Sequence, residues 1–402
     1  MKYKLNNQEL DSVELKCLVV SQGLKVGREV YKRGRKDWAM SPNALCCDSF
    51  LLPDDTVVMA TDLGMHLSTV SSMFSWDNIK LLKYMNSMKT DFSLEIRDRQ
   101  PVLCYKKEVV TPVKMLPHTD FYDQRCKSGT PFMGNSVLLG DDWVAFQCLW
   151  PCDFARAGKP CQFCYSGGQY AALARRNKPM PKVPSPADVA EIINWTINRN
   201  EANSIQITGG STFDPVVEER YITAYLDAIN ADVGRQRISG EIVLYITPPS
   251  DHSVIDRYFD LGVDSITCSI EVWDDALAEE ITPGKRLFTT KERHLDALEY
   301  IAGKYGPNKA FCNFIIGLEP LESLAAGVNF MASRGIVPNA SVWMPMGKPV
   351  RGTMTPPGLD FFRACKGLFA EAYYKYDLIP AGLCGVNTCV ERDIWRYIHP
   401  EK

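Results

Sequence analysis

The feature that most constrains the fold is an alternation of short apolar segments with amphipathic helical segments between about residue 142 and residue 350. Each apolar segment is too short for a buried helix and is rich in β-branched or aromatic residues, which favours a strand. We expect strands at 143–148, 204–208, 242–247, 264–270, 311–317 and 340–344. The intervening segments carry helix-start signals, such as Ser185 as N-cap before Pro186 in the first turn. Strands joined in this way are typical of a parallel sheet in an α/β protein.

Six such units in succession narrow the fold class. Right-handed crossovers that repeat along a sheet curl it, so the pattern predicts a partial (β/α)6 barrel of the TIM type. A doubly wound open sheet is the alternative that the pattern leaves open. In both folds the active site lies at the carboxyl ends of the parallel strands. The residues that follow each strand are therefore the candidates for chemistry.

Regions of different character flank the predicted barrel. We expect a β-rich N-terminal region, the barrel, and a short helical C-terminal extension at residues 1–135, 136–350 and 351–402. In the first region, alternating apolar segments around turn residues indicate hairpins at 49–59 and 92–105. Helical periodicity is weak in that region, apart from Asp77–Met88. The N-terminal region is therefore predicted to be β-rich and irregular.

Charge and hydropathy exclude several classes of protein. The formal net charge is −3 and the pI is near 6.0, so no concentrated basic surface for nucleic acid is indicated. No apolar stretch approaches the roughly 18 residues of a membrane helix, and the N-terminal residues lack the apolar core of a signal peptide. We expect a cytoplasmic protein, with neither nucleic acid nor a membrane as partner. In such a compartment, 14 cysteines favour metal ligation over disulfide bonds.

Four cysteines end or follow the first predicted strand of the barrel: Cys148, Cys152, Cys161 and Cys164. Their spacing fits the ligand pairs of a structural zinc site, which is one interpretation. Their loop, however, leaves the carboxyl end of the first strand, where a catalytic cofactor is expected. Structural zinc more often stabilises small domains that lack a core. The position therefore favours a catalytic centre built on thiolates.

The second half of this loop resembles the cysteine motif of the radical S-adenosylmethionine (SAM) superfamily. The segment from Cys161 to Cys164 ends in Cys-x-aromatic-Cys, as that motif does, with Phe163 as the aromatic residue. The commonest family spacing is Cys-x3-Cys-x2-Cys, whereas here eight residues separate Cys152 from Cys161. Asp153 after Cys152 is similar to the Asn that often follows the family's first cysteine, and Cys148 ends the strand. We therefore expect Cys152, not Cys148, to be the first ligand.

The resemblance implies chemistry as well as ligands. Three thiolates, from Cys152, Cys161 and Cys164, would hold a four-iron four-sulfur cluster and leave one iron open. In the family, the amino and carboxylate groups of SAM chelate that iron, and an electron then cleaves SAM to methionine and a 5′-deoxyadenosyl radical. The protein orients the reactants, while the cofactors carry the difficult chemistry.

Other strand ends resemble the SAM-binding elements of this family. The turn after the second strand is similar to a Gly-Gly-Glu motif that receives the SAM amino group, with Ser211 in place of Glu. Glu271 and Lys285 would lie near the SAM amine and carboxylate, although a helix cap and a solvated basic turn are structural alternatives. The resemblance implies cofactor contacts from Phe163, Thr208, Gly209, Gly210, Ser211, Thr247, Ser269, Glu271, Lys285 and Ile315.

The reaction that follows radical formation is less constrained, because one barrel hosts many chemistries. The chain is similar to a biotin synthase-like subgroup with an extended Cys-x8-Cys-x2-Cys loop. It also resembles the cobalamin-dependent glutamine C-methyltransferases of methanogens, which modify methyl-coenzyme M reductase. This resemblance implies methylation of an unactivated carbon in a polypeptide, with cobalamin as carrier and a ferredoxin or flavodoxin as reductant. The sequence contains no Asp-x-His-x-x-Gly cobalamin motif.

Other functions remain open at this point. Within the radical SAM class they are a rearrangement, carbon–carbon bond formation or sulfur insertion on a small molecule. Outside it, a zinc-stapled α/β binding protein is possible, whereas no Gly-x-Gly-x-x-Gly after a strand supports a flavin or nicotinamide enzyme. Cys384 and Cys389 are candidates for a second metal site, together with Cys46 and Cys47, although this spacing also suits buried core thiols.

Overall fold

The structure is a computed structural model, and it describes residues 1–30, 32, 47–63, 90–133, 137–140, 142–164, 170, 174, 177, 182–344, 355–381 and 388–400. The strands of this part of the chain, β1 to β16, are Lys2–Leu5, Gln8–Asp11, Lys25–Val26, Cys47–Leu51, Val57–Thr61, Phe92–Arg97, Gln100–Tyr105, Glu108–Pro112, Lys114–Met115, Val137–Leu139, Trp143–Leu149, Ser204–Gly209, Ile242–Tyr245, Ser265–Thr267, Ala310–Ile316 and Val337–Val342. Its α-helices, α1 to α10, are Ser12–Gln22, Asp153–Arg156, Pro186–Asn198, Pro215–Asp232, Ser253–Asp260, Asp275–Ile281, Lys291–Tyr305, Leu321–Ala332, Leu359–Lys375 and Glu391–Ile398. Two short 3-10 helices and one π-helix lie at Asp120–Asp123, Arg235–Arg237 and Lys285–Thr289.

The largest sheet has seven strands in the order β10-β11-β12-β13-β14-β15-β16. The six strands from β11 to β16 pair in parallel, and β10 pairs antiparallel with β11 at one edge. Strand order follows chain order without reversal. Right-handed crossovers then place all helices on one face, which curls the sheet into a half-barrel. The predicted α/β partial barrel is confirmed, and the doubly wound alternative, which needs a reversal of strand order, is wrong.

The bounds of some predicted barrel strands were wrong. The third strand ends at Tyr245 rather than residue 247, and the fourth spans only Ser265–Thr267. The sixth begins at Val337 and ends at Val342, instead of 340–344. Pro338 is the physical reason, since proline usually marks a turn. It is tolerated here because strand β16 lies at the edge of the sheet, where a missing N–H breaks no ladder bond.

The N-terminal region contains the predicted hairpins and one helix that the sequence pattern did not indicate. Strands β4 and β5 pair antiparallel, as do β6 and β7. Helix α1, however, has buried residues from Ser12 through Ser21 on all its sides. A helix that is buried all round shows no amphipathic periodicity, which is why the prediction missed it. The predicted helix at Asp77–Met88 lies outside the described residues.

One continuous hydrophobic core joins the barrel to the elements before and after it. Its buried side chains extend from Tyr3 to Trp395 and include residues of helices α9 and α10. A buried ion pair, Lys16 to Asp393 at 2.6 Å, links helix α1 to helix α10. The boundaries expected at residues 135 and 350 stay a prediction. Among the described helices, none has the length and apolar character needed to cross a membrane.

Candidate functional site

The two faces of the barrel sheet differ in polarity. The register places Val144, Ile205, Leu244 and Ile316 with other apolar side chains on the face that the helices cover. The opposite, inner face carries polar side chains on every parallel strand. These are Gln147, Gln206, Thr208, Tyr245, Ser265, Thr267, Asn313, Asn339 and Ser341. A closed TIM barrel fills this space with branched apolar residues. The inner face of this half-barrel is instead suited to a polar occupant.

The polar lining of this inner space is not fully satisfied by the described protein groups. The Oγ of Ser265 and the Oδ1 of Asn339 are buried and have no hydrogen-bond partner in this part of the chain. Their residues are only 2% and 3% exposed. Buried polar atoms in folded proteins are nearly always bonded, so such atoms indicate a partner such as water or a ligand.

The cysteine loop begins at the carboxyl end of β11, the first parallel strand. Cys152 is the residue before helix α2, and Cys161 and Cys164 follow that helix. All three thiols are partly buried. Cys148 lies within the strand, is 2% exposed, and has Glu218 of helix α4 as its charged neighbour on the helix side. Burial raises the pKa of the Cys148 thiol well above its ordinary range, as for a core thiol. The sheet therefore separates Cys148 from the other three cysteines.

The glycine turn after β12 packs directly on Cys152. The backbone N–H of Gly210 donates to the carbonyl of Leu149 over 2.8 Å, and that of Ser211 donates to Cys152 Sγ over 3.4 Å. In return, the N–H of Asp153 donates to the carbonyl of Ser211 over 2.8 Å. A Cβ added at Gly210 would lie 2.6 Å from Cys152 Cα. Only glycine allows this approach, so the predicted Gly-Gly element and the first predicted ligand are in contact.

The second half of the cysteine loop is held by the chain that follows helix α6. The N–H of Gln162 donates to the carbonyl of Ile281 over 2.8 Å. A Cβ added at Gly284 would lie 2.5 Å from the carbonyl oxygen of Lys159. Phe163 packs against a small apolar cluster that contains Ile315. The loop therefore reaches the end of β15, and it brings together two residues that were predicted to contact SAM.

Charged groups surround the Cys161 thiol. Burial raises its pKa, the charge of Lys285 opposes that rise, and the nearby Cys164, Glu271 and Cys152 add to it. Without a metal, Cys161 is therefore protonated at neutral pH. Coordination to iron would remove this proton, because metal ligation requires the thiolate.

Lys285 and Glu271 form an ion pair of 2.9 Å beside the cysteine loop. Lys285 Nζ also donates to the carbonyl of Ser269 over 2.6 Å, and Asn313 Nδ2 donates to the second carboxylate oxygen of Glu271 over 2.9 Å. Burial lowers the pKa of Lys285, but Glu271 and Cys161 outweigh it, so the net shift is upward. Lys285 remains a cation in this buried position.

The backbone at Glu271 is unusual, because its φ is +71°. A non-glycine residue in this region is strained, and such residues cluster at functional sites. Glu271 nevertheless pairs with the neighbouring strand: its N–H donates to the carbonyl of Asn313, and the N–H of Ile315 donates to the carbonyl of Glu271, each over 2.9 Å. The two residues predicted to bind SAM polar groups are thus held rigidly at the mouth of the barrel.

The remaining predicted contacts are distributed over two places. Thr208 lies on the inner face of β12, where it is accessible to a ligand inside the barrel. Thr247 lies apart from the cysteines: its N–H donates to Glu218 Oε1 over 2.8 Å, and it lines a separate cavity. The roles predicted for these residues as SAM contacts stay predictions.

Cys389 reaches the inner face through a short backbone bridge to β16. It lies opposite Ser341, and the Ser341 Oγ and Cys389 Sγ atoms are 3.2 Å apart. Ser341 Oγ also donates to Asn313 Oδ1 over 2.8 Å, which connects Cys389 to the Glu271 network. Cys46 and Cys384 lie outside the described residues, and so does the side chain of Cys47. The second metal site therefore stays a prediction.

Sequence reasoning did not single out Asn313, Ser341 or Glu319 as site residues. Glu319 is 5% exposed and accepts hydrogen bonds from the backbone N–H groups of Trp273 and Asp274, which follow Glu271. The positions of Asn313 and Ser341 along their strands could have identified them. Polar residues at alternate positions of a buried strand lie on the same face of the sheet.

The three thiols of the loop are ligands of the kind that an iron–sulfur cluster uses. In the described part of the chain, no three His, Cys, Asp or Glu side chains converge closely enough to hold one ion. Thiolates of a four-iron cluster bind separate iron atoms, so they need not converge on one point. Three thiols on one loop, with the Gly210 backbone and Lys285 beside them, fit such a cluster with one open iron.

Comparison with known proteins agrees with this geometry. Residues 152–322 match the family model of the radical SAM superfamily. The matched residues make up less than half of the chain, and they include the three cysteines of the loop as well as Glu271 and Lys285. This part of the chain is therefore similar to a radical SAM domain.

One curated relative is bacteriochlorophyllide c C-7(1)-hydroxylase of Chlorobaculum limnaeum, which is 26% identical over 263 residues. The match covers 63% of this chain and 65% of the relative. Among solved structures, the following two have low structural similarity to this chain. SuiB of Streptococcus suis has a TM-score of 0.41 and 14% identity, over 62% of this chain and 49% of that one. A radical SAM methyltransferase from Sphaerobacter thermophilus has a TM-score of 0.39 and 11% identity, over 75% and 81%.

Proposed function

We propose that this protein is a radical SAM enzyme, which takes a hydrogen atom from a carbon of a substrate that lies in the polar inner space of the half-barrel. When bound, the cluster and SAM would supply the 5′-deoxyadenosyl radical. The observation that carries the proposal is the convergence of Cys161, the Lys285–Glu271 pair and the polar inner face at one end of the sheet. Radicals formed there would face the inner space and not the apolar core.

Each of these residues has a defined task in the proposal. Cys152, Cys161 and Cys164 hold the cluster, and the Gly210 backbone positions Cys152. Lys285 offers a cation to the carboxylate of SAM, and Glu271 an acceptor to its amine, so SAM would separate a pair that is closed at 2.9 Å. Asn313 keeps Glu271 in place when Lys285 turns to the ligand.

At a finer level, we propose C-methylation of a polypeptide at an unactivated carbon, with cobalamin as the carrier of the methyl group. Resemblance to the biotin synthase-like subgroup and to the glutamine C-methyltransferases supports this choice. Such a carbon has no lone pair, so polar transfer from SAM fails, and methyl capture by a carbon radical overcomes that barrier. Methyl-coenzyme M reductase is the proposed polypeptide substrate, and a ferredoxin or flavodoxin the proposed reductant.

Hydroxylation is a second candidate, because the relative from Chlorobaculum limnaeum is a hydroxylase. The two reactions differ in the mass that the substrate gains, which is one methylene for methylation and one oxygen atom for hydroxylation. Methylation should also produce S-adenosylhomocysteine alongside 5′-deoxyadenosine, and the protein should then bind cobalamin. Mass spectrometry of the products and extraction of cofactors after anaerobic purification separate these outcomes.

The shared part of the proposal is tested first, on the cluster itself. Cys161→Ala should lose the reconstituted cluster, seen as loss of bound iron and of the electron paramagnetic resonance signal of the reduced protein. Cys104→Ala is the matched control, because Cys104 is buried in strand β7, outside the barrel sheet. Full iron content in Cys161→Ala, or a colourless protein that binds zinc instead, would contradict the proposal.

A further inference from the structure

A cavity of about 360 Å³ lies on the helix side of the barrel rim, separate from the polar inner face. It opens between the ends of β12 and β13 and the helices α4, α5 and α7. Its wall includes Thr247 and Tyr258. Its size is at the lower end of the range of ligand pockets, so it suits a small molecule and not a macrocycle.

Three aromatic rings form one wall of this cavity. Phe154 and Phe288 stack with ring centroids 5.4 Å apart, and Phe213 meets Phe288 edge-on at 4.6 Å. Phe213 is 50% exposed, so much of its ring remains uncovered by protein. Aromatic side chains of this size are normally covered unless they serve as contact surface. The wall therefore offers a flat apolar surface to a ligand ring.

The side chain of Arg293 supplies a cation to the same space. Arg293 lines the cavity, and its Nε is buried with no hydrogen-bond partner among the described residues. Glu218 also lines the cavity, but its Oε1 already accepts from the N–H of Thr247, and the charge of Arg293 only partly opposes the burial that raises the pKa of Glu218. A buried polar group of this kind is costly unless something pairs with it. A guanidinium group can donate two parallel hydrogen bonds to one carboxylate, so Arg293 is suited to bind a carboxylate ligand.

We propose that this cavity binds a small aromatic carboxylate, with its ring on the phenylalanine wall and its carboxylate on Arg293. The site goes beyond the proposed SAM chemistry, since none of the cysteine ligands lines it. Phe154 follows Cys152 by two residues in helix α2, so a ligand on this wall contacts the loop that holds the cluster.

The test uses 2-naphthoate, an aromatic carboxylate with its own fluorescence, and 2-naphthalenemethanol, its uncharged counterpart. Both are titrated into the anaerobically reconstituted protein. The carboxylate should bind saturably at one site per chain and at least about tenfold more tightly than the alcohol, because a charge-assisted pair is lost with the alcohol. Arg293→Gln should remove this difference, and Arg293→Lys should restore part of it.

Two further variants complete the design. Phe213→Ala should weaken both probes, because the ring surface serves each of them. Arg363→Gln, on helix α9 and absent from the cavity lining, should change neither titration. The proposal is overturned if 2-naphthoate shows no saturable binding, or if Arg293→Gln and Phe213→Ala both leave its affinity unchanged. Failure here would leave SAM cleavage intact, so it is distinct from failure of the proposed function.

Discussion

Two places at the carboxyl ends of the barrel strands each hold one acidic and one basic side chain, with opposite arrangements. On the inner face, Lys285 and Glu271 are in direct contact at 2.9 Å, and Asn313 completes the network. On the helix side, Glu218 and Arg293 line one cavity, and the charge of Arg293 lowers the pKa of Glu218 less than burial raises it. The Lys285–Glu271 ion pair holds both side chains in place until a ligand separates them. In the cavity, by contrast, the Arg293 cation is accessible to a ligand. Substitutions at Lys285, Glu218 and Arg293 test this difference. A substitution at Gly210 tests the contact between the sheet and the cysteine loop.

The largest effect is expected for Lys285→Met. The substitution leaves Glu271 without its cation in a position where both side chains are less than one-fifth exposed. Removing one partner of such a pair should lower the free energy of unfolding by about 3 kcal/mol. Equilibrium unfolding in urea measures it. Lys304→Met is the control, since Lys304 pairs with Asp256 at 2.7 Å but is exposed. This variant should lose little unfolding free energy, because exposed ion pairs contribute little to stability. Equal losses of unfolding free energy in the two variants would mean that the Lys285–Glu271 pair stabilises the fold no more than an exposed ion pair does.

The next effect concerns the pH dependence of stability. Burial raises the pKa of Glu218 from 4.5 to about 7. Between these values the folded chain keeps a proton that the unfolded chain has released, so the free energy of unfolding falls as pH rises through this window. The contribution of Glu218 to this pH dependence is about 3 kcal/mol at most.

Glu218→Gln cannot titrate and should remove this contribution, seen as a smaller difference between urea midpoints at about pH 5 and about pH 8. Glu391, whose pKa burial also raises to about 7, provides the matched comparison. Glu391→Gln should remove its own share and leave that of Glu218. If Glu218→Gln kept the full pH dependence of the parent protein, the carboxyl would not be protonated in this cavity.

A smaller loss is expected for Gly210→Ala, at the contact between the sheet and the cysteine loop. Its new methyl group would overlap Cys152 Cα and force the loop to move, at a cost of about 1–3 kcal/mol. Iron incorporation should fall as well. Gly303→Ala is the control, because nothing lies within 4 Å of a Cβ there and the residue is inside helix α7. Alanine should even stabilise that helix slightly. Normal iron content in Gly210→Ala would refute the close contact.

The smallest effect is expected for Arg293→Gln. Because the Nε of Arg293 has no hydrogen-bond partner among the described residues, loss of this side chain should change the free energy of unfolding by less than about 0.5 kcal/mol. The contrast with Lys285→Met sharpens the comparison, since both variants remove one cation near one carboxylate. A loss as large as that of Lys285→Met would show that Arg293 supports the fold and not a ligand.

The sequence alone determined the features that depend on local patterns. Short apolar strands between amphipathic helices predicted the partial barrel, and the Cys-x-aromatic-Cys ending of the cysteine loop indicated a radical SAM domain by its resemblance to that superfamily. Both signals arise from neighbours along the chain, where strand length, helix caps and ligand spacing are directly visible. Helix α1 shows the limit of such signals, because a helix that is buried on every side has no period to detect.

Only the tertiary structure decided which side chains meet. Lys285 and Glu271 were each predicted as contacts of SAM, and the fold shows that they first pair with each other through a strained backbone at Glu271. Thr247 was expected among the SAM contacts, and the fold places it on the cavity of Glu218. Strand register and the face on which each residue lies settle these pairings, because long-range contacts depend on how separate elements pack and not on spacing along the chain.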